Sequence, residues 1–404
     1  MKTKSFVRTS VFAVTCVFVA AVALFSSCQK DDETTAPKPP TPPQGMYIAD
    51  TVHYADQGAT AYNFVYTSTD PYGEPVQLSA AIVLADSVVE KRRSRGFMLY
   101  NHISVFRADE CPTRGANDIE KKMVGSGLIT VSADYYGFGV SEQYGQAYCF
   151  ADANAQASID ALLAAKKLLA WHGYTWDDNL FVCGYSQGGQ TAMGVVKLVA
   201  ENYPDLHITL AIAGGGIYDL PATYNYMVTT DSTDQPGTVV QVILAYNNIY
   251  NLGIPRSDIF REPLLSHIDE WVLSKRYRRV QVDSLMGVSR LSQFLTTDMM
   301  DLNSENSQRL IAAFDHSNLC KGWTPRGDEN LVLFHSSTDN TVPPVNTENL
   351  NQFLLQNGVQ AELVINDFGS TPESDAHTTG AIWFAILAVN RISGILHIQP
   401  WSIL

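Results

Sequence analysis

The chain has 404 residues, 46% of them hydrophobic and 17% charged, a composition that supports a large buried core and excludes a disordered or fibrous chain. Its formal net charge of −14 argues against nucleic acid or an anionic membrane as a charge-driven partner. The length fits one large domain or two smaller ones.

The first segment is not expected to belong to the folded body. Lys2, Lys4 and Arg8 precede an apolar run from Val11 to Phe25, whose 15 residues are short for a membrane span but suit a signal-peptide core. The run ends in "LFSSCQKDDE", where Ser26 and Ser27 before Cys28 resemble the lipobox of bacterial lipoproteins, with Phe25 in place of the usual leucine. That resemblance implies that residues 1–27 are removed and that Cys28 becomes the lipidated first residue. It also implies an exported chain anchored to the bacterial outer membrane, on the periplasmic or the cell-surface side. "KDDE" resembles surface-export signals, and an ordinary secretory signal cut near Ser27 is the alternative reading. Loss of residues 1–27 removes three cations and no anion, taking the net charge from −14 to −17. Residues 28–45 carry five prolines and no apolar cluster, as expected of an extended tether.

From Met46 to the end, strand-like and helix-like segments alternate. "AYNFVYT" and "VQLSAAIVLA", separated by the turn-forming "DPYGEP", predict an antiparallel hairpin. "GFMLYNH", "GLITVSA", "NLFVCG", "ITLAIAGG", "NLVLFHSS" and "AELVIND" are short apolar runs suited to strands buried on both faces. Amphipathic helices lie between several of them, most clearly Ala151 to Trp171. The expected class is α/β, a mostly parallel sheet with helices on both faces. Residues 217–328 break the rhythm between the sixth and seventh of these strands and are read as a helical cap, with "TVVQVILAY" its one strand candidate. Tyr224, Tyr226, Tyr246, Tyr250 and Trp271 fill the core of that cap or line a pocket beneath it.

The stretch "NLFVCGYSQGGQTAMGVVKL" carries chemistry. In G-x-S-x-G the glycines allow a strand to turn sharply into a helix and leave room around a strained serine. Ser186 then projects as a candidate nucleophile, and the backbone N–H of Gln187 at the helix start is a candidate oxyanion donor. A serine needs a base, and the base an orienting acid. Both follow in chain order: Asp339 after "LVLFH", and His377 in the loop after "AELVIND". Asp375 is too near His377 in sequence to orient it, Asp367 ends the wrong strand, and His335 is read as a packed histidine. A second oxyanion donor is expected after "GFMLYNH", from Ile103 or Ser104, with His102 shaping that loop. Asp134 of "ADYYGFG" is read as a cap of backbone amides.

Neither C-x-x-C nor H-E-x-x-H occurs, so no metal site and no cofactor is expected. In an exported protein Cys111 can oxidise with Cys149, though the four cysteines Cys111, Cys149, Cys183 and Cys320 leave the pairing open, and four free buried thiols are the alternative.

From about Ala61 to Ile395 the chain resembles the α/β-hydrolases, and among them the secretory lipases related to fungal lipase A. "FVYTSTDPYGEPVQLSAAIVL", "DYYGFG", "GYSQGG" and "DNTVP" followed by "AH" carry the likeness. It implies a hydrolase domain over 46–404 with a lid in the long insertion, and cleavage of carboxylic esters through Ser186, His377 and Asp339. A peptidase of the prolyl oligopeptidase type shares this order but usually carries an N-terminal propeller. A surface lipoprotein that binds glycans or acyl chains without catalysis is the rival from another class.

Overall fold

The structure is a computed structural model describing residues 44–115, 118–371 and 374–402. Residues 1–43, on which the expected signal peptide, Cys28 and the expected tether before Gln44 fall, lie outside the described residues.

The opening hairpin forms where the sequence places it. Strand β2 (Ala59–Thr69) pairs antiparallel with β3 (Pro75–Ala85), in register from Ala59 opposite Ala85 to Thr69 opposite Pro75. Asp70 closes the turn, its Oδ1 accepting the N–H groups of Tyr72 and Glu74 at 2.8 and 2.9 Å. A strand absent from the sequence reading, β1 (Tyr47–Tyr54), pairs antiparallel outside β2. None of its residues is fully buried, so it lacks the apolar period that marks a strand. Pairing to β2, not patterning, defines it.

Six further strands of the same sheet follow: β4 (Phe97–Asn101), β5 (Ile129–Ala133), β6 (Leu180–Tyr185), β7 (Leu210–Gly214), β8 (Leu331–Ser336) and β9 (Glu362–Asn366). The nine-stranded order is β1-β2-β3-β5-β4-β6-β7-β8-β9, antiparallel as far as β5 and parallel from there on.

Helices of eight residues or more are α1 (Ala151–Trp171), α2 (Gln187–Asn202), α3 (Leu220–Thr230), α4 (Pro236–Ile249), α5 (Arg279–Met286), α6 (Glu305–Phe314), α7 (Val345–Gln356) and α8 (Ala376–Leu396). Alternation along the strands assigns them to layers. Leu99 and Val182 join one core with α1, α2 and α7, whereas Met98, Tyr100, Phe181 and Cys183 join another with Phe384 and Ile392 of α8. Each face of the sheet is therefore covered.

Between β7 and β8 the chain forms α3 to α6 around a separate core that includes Val240, Ile243, Tyr246, Phe294, Leu310 and Phe314. None of the nine strands falls there. "TVVQVILAY", the one strand candidate, lies within α4, a correction with a local cause. Pro236 sits in the first turn, where its fixed φ favours a helix, and Val239, Val240, Ile243 and Leu244 recur at helical spacing toward the cap core. The β-branched run loses to that packing.

Cys111, Cys149, Cys183 and Cys320 are free thiols. Burial pushes the Cys183 thiol up to about 12, so it is an inert core residue at neutral pH.

Candidate active site

The run Leu180 to Tyr185 is buried throughout, and α2 begins one residue beyond it, at Gln187. Ser186, between the two, has φ 58° and ψ −123°, a conformation that a residue with a Cβ adopts at a cost of about 1–3 kcal/mol. The glycines allow this turn to close. A Cβ at Gly184 would lie 2.1 Å from the carbonyl oxygen of Gly188, and one at Gly188 would lie 2.0 Å from that of Asn101. The end of β4 is thus pressed onto the first turn of α2, and the Ser186 N–H is fixed by the carbonyl of Gly214 at 2.9 Å.

His377 is the second residue of α8. Its Nε2 lies 2.8 Å from Ser186 Oγ, and its Nδ1 lies 2.6 Å from Asp339 Oδ2. Asp339 follows β8 in a tight turn, where its Oδ1 accepts the N–H groups of Thr341 and Val342 at 2.9 and 2.8 Å. The Tyr185 hydroxyl donates to the carbonyl of His377 at 2.7 Å, tying the end of β6 to the start of α8. Ser186, His377 and Asp339 are 8%, 4% and 1% exposed, so they interact where water competes little. Three residues separated by up to 191 positions are brought into one hydrogen-bonded chain.

The competing carboxylates and histidine have other partners. Asp375 is the N-cap of α8, accepting the N–H of Thr378 at 2.7 Å and the side-chain amide of Gln235, in the cap, at 3.0 Å. Burial opposes its ionisation, but those hydrogen bonds hold its carboxyl below the ordinary value. Asp367 accepts the N–H of Gly369 at 2.8 Å. His335 lies 3.7 Å from Asp339, yet its Nε2 donates to the carbonyl of Val342 at 2.7 Å and its Nδ1 pairs with the Thr347 hydroxyl at 2.6 Å. Burial lowers its pKa, leaving a packed, neutral ring.

For an oxyanion, the loop after β4 lies against the start of α2, next to the serine. Among the described residues, the backbone N–H groups of Gln187, Ile103 and Ser104 are donated to no acceptor. Ser104 Oγ is 2.6 Å from the hydroxyl of Tyr148, a contact that no sequence signal announces. Asp134 accepts the Thr113 N–H at 2.9 Å and the Ser79 and Thr113 hydroxyls at 2.5 Å each, which pins the turn after β5.

His102 holds the loop after β4. Its Nδ1 donates to the carbonyl of Ile103 at 2.7 Å and its ring stacks on Tyr135 with centroids 4.1 Å apart. Burial pushes its pKa down from 6.5 to about 4. Between those values the unfolded chain binds a proton that the folded chain refuses. Stability is therefore full above about pH 6.5 and is lost as pH falls toward 4, by roughly 3 kcal/mol from this residue. Urea unfolding at pH 7 and pH 4.5 is expected to show the loss, and His102→Gln to reduce it. An unchanged pH dependence in the variant would remove His102 as its source.

Above Ser186 a pocket opens between Ile217, Leu220, Met227, Val239, Val242 and Phe314, with a cavity of about 40 Å³. Tyr224 lines it, whereas Tyr246, Tyr250 and Trp271 pack in or against the cap's own core and Tyr226 is exposed. Among the described residues, no group of three or more His, Cys, Asp or Glu is placed to hold a metal.

A mostly parallel sheet, a serine at a strand-to-helix elbow and an acid and histidine after later strands define an α/β-hydrolase. The chain belongs to the secretory lipase family, whose sequence pattern matches residues 119–379 and so takes in Ser186, Asp339 and His377. No curated protein matches it by sequence. Among solved structures it is similar to the rice cell wall degrading esterase LipA from Xanthomonas oryzae, with a TM-score of 0.73 at 19% identity over 86% of this chain and 96% of that one. It is also similar to Candida antarctica lipase A in its closed state, with a TM-score of 0.63 at 15% identity over 88% of this chain and 83% of that one. At those identities the likeness is one of fold.

Proposed function

We propose that this ester hydrolase is a serine carboxylesterase or lipase in which Ser186 is the nucleophile, His377 the general base and acid, and Asp339 the orienting carboxylate. The observation that carries the reading is the continuous chain Ser186 Oγ to His377 Nε2 at 2.8 Å and His377 Nδ1 to Asp339 Oδ2 at 2.6 Å, at a strained elbow under an apolar pocket. His377 takes the proton of Ser186 as Oγ attacks the ester carbonyl, and returns it to the leaving alcohol. The acyl-enzyme is then cleaved by a water that His377 activates. The N–H groups of Gln187 and of Ile103 or Ser104 are the donors offered to the oxyanion. Hydrolysis of p-nitrophenyl esters from acetate to palmitate, by parent and Ser186→Ala, tests the reading, and the preferred chain length separates esterase from lipase.

In this reading residues 217–328 are the lid of a domain spanning 46–404. Membership of a secretory family supports export, and we place the lipid anchor at Cys28 on a tether of residues 28–45. Cells fed labelled palmitate are expected to label the parent and not Cys28→Ser, with the variant leaving the membrane fraction. A parent that takes no label would return the N-terminus to an ordinary signal cut near Ser27.

A further inference from the structure

Helix α4 has two lined faces. Val239, Val242 and Ile243 face the pocket above Ser186, while Gln241, Leu244 and Asn248 belong to a second, larger cleft of about 630 Å³. That volume lies in the range of small-ligand sites. Its chemistry differs from that of the first pocket.

The walls of the cleft are rich in amides. Gln241 and Gln146, each 6% exposed, form a buried pair in which Gln241 Nε2 donates to Gln146 Oε1 at 2.8 Å, and Gln146 Nε2 in turn donates to the carbonyl of Val105 at 3.2 Å. Gln241 Oε1 is left with no hydrogen-bond partner, a buried acceptor without the bond that would offset its desolvation. Gln143, Asn248 and Asn251 add exposed amides around it. Tyr144, 43% exposed, stands at the same cleft with its ring stacked on Tyr136 at 5.2 Å and 12°.

The charged residues present already have partners. Arg256 pairs with Asp269 at 2.9 Å and Glu142 with Arg114 at 3.3 Å. Lys275 Nζ donates to the carbonyls of Gly137, Glu142 and Tyr144 at 2.5, 2.7 and 2.8 Å, which also holds the loop bearing Tyr144 in place before any ligand arrives. A charged ligand finds little here to pair with. A neutral molecule bearing many hydroxyls does, because each amide both donates to and accepts from hydroxyl groups, and the C–H face of a pyranose ring lies flat on an aromatic ring.

We propose that the cleft between α4 and the loop 142–146 binds a neutral glycan, with Tyr144 as its stacking platform and Gln241, Asn248 and Asn251 as its hydroxyl partners. Binding here is separate from the chemistry at Ser186 and does not depend on it. The test is calorimetric titration of the full protein with the hexasaccharides of β-1,4-glucose, α-1,4-glucose and β-1,4-xylose, with hexagalacturonate as the charged comparator. Saturable binding of at least one neutral hexasaccharide is expected. Affinity should fall by about tenfold in Tyr144→Ala and in Asn248→Ala, with Trp383→Ala unchanged. Ser186→Ala should bind as the parent does, and turnover of a short p-nitrophenyl ester should survive in Tyr144→Ala, so loss of the catalytic reading and loss of this one are told apart. No saturable binding of any neutral hexasaccharide, binding of hexagalacturonate alone, or equal affinity in the parent and both cleft variants would overturn the proposal.

Discussion

Ser186→Ala is expected to lower kcat/KM for a p-nitrophenyl ester by roughly 10⁴- to 10⁶-fold, the range seen when a triad nucleophile is removed. The hydroxyl is the one atom of the elbow that both faces the pocket and lies within 2.8 Å of a base. Ser104 is no substitute, because its Oγ is engaged with Tyr148 at 2.6 Å. Nor should the variant lose activity by unfolding. Alanine at φ 58° carries the same backbone strain as serine, and the N–H to Gly214 carbonyl bond is retained. Matched melting temperatures with lost turnover would therefore isolate the chemical step. Comparable activity in both proteins would place the hydrolysis elsewhere and sink the assignment of Ser186.

Asp339→Asn is expected to cost about 10⁴-fold in kcat, and the geometry shows why. Oδ1 of Asp339 already accepts two backbone N–H groups, from Thr341 and Val342. An asparagine there must keep its oxygen on those donors, which turns its NH₂ toward His377 Nδ1. That nitrogen then has to accept, so the ring proton moves to Nε2, and a protonated Nε2 cannot take the proton of Ser186. Asp375→Asn makes the contrast. Its role is to cap α8, asparagine caps as well as aspartate, and activity within roughly tenfold of the parent is expected. Greater damage from Asp375→Asn than from Asp339→Asn, measured as kcat on the same ester, would exchange their roles.

How far the sequence disclosed this molecule differs from element to element. The buried strands and the elbow were legible because their causes are local: apolar runs for β4 to β8, and glycines around Ser186 whose side chains would collide. Chain order led to Asp339 and His377, while the distances between them come only from the closing of the sheet. β1 was not legible, since an exposed edge strand takes its identity from its neighbour. α4 was misread because a β-branched run outweighed Pro236 until a core for Val240 and Ile243 was known. Gln235, which ties the cap to Asp375 at 3.0 Å, and Tyr148 beside Ser104 carry no sequence signal, because a lone amide or phenol gains its meaning from a partner far along the chain.

The cavity above Ser186 has about 40 Å³, space for about three water-sized spheres, and it is walled mostly by side chains of residues 217–328. If residues 217–328 act as the proposed lid over an acyl-chain substrate, this arrangement leaves the chain little room, and the closed form competes with the substrate. In that reading binding reports an equilibrium between closed and open forms as well as the contacts made. If one molecule in a hundred is open, the measured affinity is about a hundredfold weaker than the open site itself would give. A substitution deep in the cap that favours opening would consequently read as tighter binding, although it touches neither the ester nor the serine.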